Sequence, residues 1–231
     1  MKYKAVIFDL FGTLVDNYSI KEYNKYLTNM ALALKLPVEG FSKLWRDTIY
    51  KRGIGIFKTT EESIRYICNK LKVFVSDQNI RKCNEIRMEN TRKHLTPKNG
   101  AIDILKKLRG LGYKIGLITN CSADVPFLWK TTEFANLFDA AIFSASVGLK
   151  KPDAQIYNLA CEQLGIEPNE CLFIGDGDGN ELEGASQLGM DAVMIRDPNE
   201  MDPYRIVEVD WKGLKIENFT EIIDLISTID D

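Results

Sequence analysis

The chain has 231 residues, 45% of them hydrophobic, with 30 Lys and Arg against 33 Asp and Glu for a net charge of −3. That length and apolar content allow a full core, as one large domain or a core with a smaller insert, and argue against disorder. The weak negative charge, without a basic run, leaves nucleic acid and anionic membrane out as expected partners, and no apolar stretch approaches the ~20 residues of a membrane-spanning helix.

Met1-Lys2-Tyr3-Lys4 has no signal-peptide pattern and leads straight into a strand at residues 4–8. The strand ends abruptly on Asp9, and Phe11, Gly12 and Thr13 follow. Residues 18–96 then read as all-helical. Tyr23, Tyr26, Leu27, Met30, Ala31 and Leu34 share one face; Ile64, Ile67, Cys68 and Leu71 share another. "RGIGIFKTTEES" between them reads as a loop, with Thr60 as the expected N-cap and Ser63 as a weaker one. Lys51, Arg52 and Lys58 make this a basic loop, expected to be solvated, that offers anion contacts by charge alone.

Beyond residue 96 short apolar runs alternate with helical patterns. Strands are expected at 114–119, 140–144, 171–175 and 192–195. Helix faces follow from Ile102, Leu105 and Leu108; from Ile156, Leu159 and Ala160, with Pro152 near a helix start; and from Leu182, Ala185 and Leu188. A last helix carries Ile222, Leu225, Ile226 and Ile229. This order predicts an α/β fold: a doubly wound, Rossmann-like parallel sheet formed by 1–17 and 97–231, with 18–96 inserted as a helical cap domain. An insert at the C-terminal end of a strand hangs over the edge where such sheets bind ligands.

Polar residues stand at four strand ends: Asp9 and Thr13; Thr119 and Asn120; Lys150 to Asp153; and Asp176 to Asp178. Converging on one edge of a parallel sheet, a carboxylate, a hydroxyl, a lysine and further acids suit phosphoryl transfer. Oxygen-ligated Mg²⁺ would relieve the repulsion between Asp9 and a phosphate. The single histidine, His94, reads as an ordinary polar residue near a helix end and leaves no multi-histidine metal site. Five cysteines (Cys68, Cys83, Cys121, Cys161, Cys171) without CxxC spacing read as reduced thiols, so a cytoplasmic location is expected.

"FDLFGTLVD", "ITN", "KKPDAQIY" and "FIGDGDGNELEGA" resemble, in order, the four motifs of the haloacid dehalogenase superfamily, from residue 6 to about residue 195. The insert is similar to that superfamily's C1-type cap. The resemblance implies that Asp9 is the nucleophile forming a covalent aspartyl intermediate, that Thr119 donates to the transferring group, and that Lys151, rather than Lys150, neutralises charge. It implies Mg²⁺ held by Asp9, the backbone carbonyl of Phe11, Asp176 and a further acid, for which Glu181 fits the spacing better than Asp178. Phe11, Gly12, Thr13 and Asn120 are expected beside the substrate.

Two details of the resemblance diverge. Superfamily phosphatases carry a second Asp where Phe11 stands; 2-haloacid dehalogenases carry an aromatic residue there and expel a halide that needs no proton. "LWR", residues 44–46, is similar to the dehalogenase segment whose arginine meets the substrate, so Arg46 is a candidate contact. Tyr157 also matches a dehalogenase tyrosine, although core packing is the expected role. The acid-rich fourth motif instead resembles metal-dependent phosphatases. The expected function is therefore a Mg²⁺-dependent phosphatase of a small phosphorylated metabolite, working through an aspartyl-phosphate. The alternatives are a 2-haloacid dehalogenase-like hydrolase with an aspartyl ester, and a catalytically weak relative that binds a metabolite or a partner.

Overall fold

The computed structural model describes residues 2–198 and 210–230. Six strands, β1 (Ala5–Phe8), β2 (Lys114–Thr119), β3 (Ala140–Phe143), β4 (Cys171–Gly175), β5 (Asp191–Ile195) and β6 (Leu214–Ile216), form one sheet in the order β3-β2-β1-β4-β5-β6. Every neighbouring pair is parallel. From β1 the chain winds outward through β2 and β3, then returns to β4 and winds the other way. That reversal opens a crevice at the C-terminal ends of β1 and β4, the place where doubly wound sheets take ligands.

The central strands are apolar throughout because helices cover both faces. Every residue of β1 and β4 is buried. On one face Phe8, Leu117 and Ile174 pack with Leu105 and Leu108 of α6 (Ala101–Gly110) and Ile222 and Ile226 of α11 (Thr220–Asp230). On the other, Ile7, Ile118 and Phe173 pack with α9 (Ala154–Leu164) and α10 (Glu181–Gln187). Two short helices follow, α7 (Asp124–Leu128) after the loop that leaves β2 and α8 (Ser144–Val147) directly after β3.

Between β1 and α6 lie α1 (Ile20–Ala33), α2 (Val38–Asp47), α3 (Ile49–Gly53), α4 (Thr60–Lys70) and α5 (Asp77–His94). Their apolar stripes meet in a cluster of their own that includes Leu27, Met30, Trp45, Ile64 and Ile67. Each such buried aliphatic side chain contributes about 1.5–3 kcal/mol. The two crossings between core and insert touch where Val15 and Pro97 form an isolated antiparallel bridge.

Several local expectations are corrected. The N-cap of α4 is Thr59, not Thr60: its extended backbone lets its Oγ1 accept from the Glu62 N–H at 3.1 Å. Ser63 lies inside the helix, donating to the Thr60 carbonyl. Pro152 does lie near the start of α9, immediately before Asp153, which caps the helix by accepting from the Gln155 N–H. In α6 the inner face centres on Ile104, with Ile102 only half-buried. β6, α3, α7 and α8 were not foreseen; three to five residues are too few for a period to register. The side chain of Ile229 lies outside the described residues.

Thr59→Ala should remove the α4 cap and lower stability by about 1 kcal/mol, read as a shift of the urea midpoint at unchanged slope.

Candidate active site

Parallel pairing of β1 with β2 and β4 brings three loops to one edge. Asp9 follows β1, Thr119 ends β2, and Asp176 follows β4; Lys151 stands before α9 and Glu181 opens α10. All five are at most 3% exposed. The Lys151 ammonium touches both the Asp9 and the Glu181 carboxylates. Carboxylate oxygens of Asp9, Asp176 and Glu181 lie within 4.8 Å of one another, and no other cluster with such spacing occurs among the described residues.

Three carboxylates surround one ammonium, so with every group charged the cluster carries −2. Burial, then Asp9 and Asp176, push the Glu181 carboxyl well above the usual carboxylate range, against the pull of Lys151. For Lys151 burial works toward a lower value, but Asp9 and Glu181 outweigh it and keep the ammonium charged. A divalent cation would relieve this excess. The donor set suits Mg²⁺, which prefers oxygen ligands. Oδ2 of Asp9 is buried without a hydrogen-bond partner, so one carboxylate atom is left for such an ion or for a substrate. Glycine is required at residue 12: its φ is +87°, and a Cβ there would stand 1.9 Å from Oδ2 of Asp176.

Neighbouring groups hold these side chains in place. Asn120 clamps the Lys151 backbone with both ends of its amide, Oδ1 accepting from N–H at 2.9 Å and Nδ2 donating to the carbonyl at 3.1 Å. Expected beside the substrate, it spends its polar atoms aligning the lysine. Asp176 accepts from Asn17 Nδ2 at 2.9 Å and from the Asp178 N–H at 3.1 Å. Glu181 accepts from the Gly177 N–H at 3.1 Å. Asp178 is not one of the three clustered acids; its backbone N–H donates to Asp176. Tyr157 is fully buried and donates to the Glu181 carbonyl at 2.8 Å. Lys98 Nζ donates to the Gly12 carbonyl at 2.8 Å. Asn17 and Lys98 escaped sequence reasoning, since an isolated Asn or Lys in a connecting segment carries no pattern.

The remaining candidates divide. Thr13 and Thr119 are buried at the strand ends, and the Oγ1 of each lacks a partner. Phe11 is 6% exposed and belongs to the sheet's core cluster, with its ring centroid 6.5 Å from that of Tyr18. Lys150 is half-buried with its ammonium 5.6 Å from the centre of the Tyr50 ring. Arg46 is not gathered in. It is exposed on α2 and bonded to Asn24 at 2.7 Å, while its neighbour Trp45 faces the insert's core. The basic loop also differs from expectation: Lys51 and Lys58 are exposed, but Arg52 is 5% exposed, drawn in over Trp45.

Lys151→Met should leave the carboxylates uncompensated and lower stability in metal-free buffer by ~3–5 kcal/mol, measured by urea unfolding. Lys150→Met, losing one ring contact, should cost at most about 1 kcal/mol.

Comparison with known proteins shows the family and the fold. A family model described as haloacid dehalogenase-like hydrolase matches residues 3–189. An (S)-2-haloacid dehalogenase of Pseudomonas putida is 26% identical, the match covering 85% of this chain and 86% of that one. A glyceraldehyde 3-phosphate phosphatase of Pyrococcus abyssi is 27% identical, over 84% of this chain and 81% of that one. Among solved structures, an enzyme of this family from Bacteroides thetaiotaomicron, in complex with magnesium and inorganic phosphate, superposes with a TM-score of 0.64 at 21% identity, covering 86% of this chain and 97% of that one. With a family match across most of its length and the same α/β architecture, the chain belongs to the haloacid dehalogenase-like hydrolases.

Proposed function

We propose that the protein is a Mg²⁺-dependent phosphatase of a small phosphorylated metabolite that works through an aspartyl-phosphate on Asp9. The observation that carries this reading is the buried group of three carboxylates around a single lysine. A metal-free site of that charge would repel an anionic substrate. Asp9, Asp176, Glu181 and the backbone carbonyl of Phe11 would hold the ion, which supplies neutralising charge for the phosphoryl oxygens. Asp9 attacks phosphorus through Oδ2, the oxygen that Lys151 leaves open. The new P–O bond to Asp9 forms as the bond to the leaving oxygen breaks. Lys151 and the Thr119 hydroxyl stabilise charge on the transferring group. Water then cleaves the aspartyl-phosphate, giving inorganic phosphate and restoring Asp9. Phe11 cannot protonate the leaving oxygen, so help worth ~10²–10⁴ in rate is missing from that position.

A second reading rests on that ring. With Phe11 in place of an acid, and with similarity to (S)-2-haloacid dehalogenases over most of the chain, Asp9 could instead displace halide from carbon to form an ester that water hydrolyses. A weakly active relative that binds a metabolite or a partner is the third. Residues 1–17 with 97–231 as core and 18–96 as cap remain our division of the chain. A cytoplasmic location is in keeping with five buried cysteines that are all free thiols.

Phosphate release from a panel of metabolites with Mg²⁺ should exceed release in EDTA by at least ~10²-fold. Asp9→Asn should abolish it without unfolding the chain. Halide release from 2-chloropropionate that persists in EDTA would favour the dehalogenase reading.

Phe11→Asp should speed hydrolysis of alkyl phosphates, by less than the ~10²–10⁴ ceiling, and help p-nitrophenyl phosphate less because its leaving group needs little protonation. The variant should also be less stable, since a carboxylate replaces a buried ring. Uniform loss of phosphate release in a folded, Mg²⁺-binding variant would count against the phosphatase.

A further inference from the structure

Gly12 is the weak point of the turn that follows Asp9. Its φ of +87° and its missing Cβ suit its place against Asp176, but they also leave the two peptide planes on either side of it without steric restraint. Hydrogen bonds supply the restraint. On one side the Gly12 N–H donates to the Val15 carbonyl at 2.8 Å. A planar trans peptide sets its N–H and its carbonyl on opposite sides, so this bond aims the Phe11 carbonyl away from Val15. On the other side the Gly12 carbonyl accepts from Lys98 Nζ at 2.8 Å.

Lys98 holds the turn twice, since its backbone N–H also donates to the Leu14 carbonyl at 2.9 Å. It reaches the turn from the far side of the helical insert, 86 positions along the chain, directly after the bridge between Val15 and Pro97. That bridge fixes where its backbone stands, and its side chain is 20% exposed. Asp16 stands 3.9 Å from the ammonium with its own side chain 82% exposed, a weak competitor for it.

We propose that Lys98 is a positioning residue for the metal: by fixing the Gly12 peptide it holds the Phe11 carbonyl still, and so makes the site select Mg²⁺ over Ca²⁺. The inference rests on the Mg²⁺ site of the reading above. Charge and geometry act in opposite directions here, which separates this role from others. An ammonium repels a cation, so its removal by charge alone would strengthen the binding of both ions alike. Geometry discriminates between them. Mg²⁺ demands near-ideal octahedral ligands at about 2.0–2.1 Å, whereas Ca²⁺ accepts about six to eight oxygens over about 2.3–2.6 Å in flexible arrangements. A loosened carbonyl therefore harms Mg²⁺ and spares Ca²⁺. Groups that orient a metal ligand from behind are typically worth ~10–100-fold in metal affinity.

The test reads Mg²⁺ and Ca²⁺ affinities of the full chain from the dependence of its thermal stability on MgCl₂ and on CaCl₂, in wild type, Lys98→Met and Lys98→Arg. The ratio of Mg²⁺ to Ca²⁺ affinity should fall at least ~10-fold in Lys98→Met. It should stay within about 3-fold of wild type in Lys98→Arg, which keeps an N–H donor for the Gly12 carbonyl. The ratio cancels the change in net charge and any general loss of stability. Should Lys98→Met fail to fold, Lys98→Ala takes its place with the same expected fall. A ratio within about 3-fold of wild type in the Met or Ala variant, whether both ions bind more tightly, more weakly or as before, overturns the proposal and leaves the phosphatase standing. So does an equal fall in Lys98→Arg. If Mg²⁺ does not stabilise the wild type at any concentration, the metal site fails, and the phosphatase reading fails together with this proposal.

Discussion

Lys151 held between Asp9 and Glu181 is the interaction on which the rest of the site depends. Three buried carboxylates, two at strand ends and one at the start of α10, would repel one another and destabilise the sheet edge if nothing opposed them. One ammonium offsets part of that charge, and its place is set with care. Asn120 grips the lysine's backbone from the neighbouring loop, so β2 and the segment before α9 are tied at the point where the charge is needed. Gly12 lets the first loop pass against Asp176, and Asn17 bonds the same carboxylate from beyond that loop. Even Tyr157, packed in the core, braces Glu181 through its carbonyl.

A second buried charge set joins the helical insert to the core. Arg87 and Thr91 on α5 both meet Asp124 on α7, directly past the Thr119 loop. Arg87 also donates to the Tyr26 hydroxyl on α1 at 3.1 Å, so two helices of the insert are referenced to one core carboxylate. Tyr18 and His94, where the chain enters and leaves the insert, stack with ring centroids 3.6 Å apart, and Asn90 donates to the Tyr18 hydroxyl. Burial lowers the His94 pKa, favouring the neutral ring that packs there. The single histidine is thus a packing residue at the crossing, in line with its ordinary reading.

Phe11 connects the two halves. Its ring is part of the core cluster and approaches Tyr18, so the position that could have carried an acid instead anchors the start of the insert. An apolar side chain there keeps a fourth carboxylate away from a site that already holds three. The trade is physical: less charge to compensate, and no proton donor at that position.

Much of this was legible in the sequence because it depends on local pattern. Continuous apolar runs that end on polar residues marked β1, β2, β3, β4 and β5, and their alternation with helical stripes determined the parallel sheet. The residues at those strand ends named Asp9, Thr119, Lys151 and Asp176, and the spacing of the fourth motif favoured Glu181. Only the tertiary structure decided which side chains meet. It tied the Lys151 backbone to Asn120, 31 positions away, and so fixed how the expected lysine meets Asp9. It turned Arg46 out and Arg52 in, because α2 and α3 pack Trp45 inward and a guanidinium follows the ring. It also brought Asn17 to Asp176, 159 positions apart. Spacing along a chain reports which residues share a strand or a helix face; encounters between distant loops are settled by packing, which no local pattern encodes.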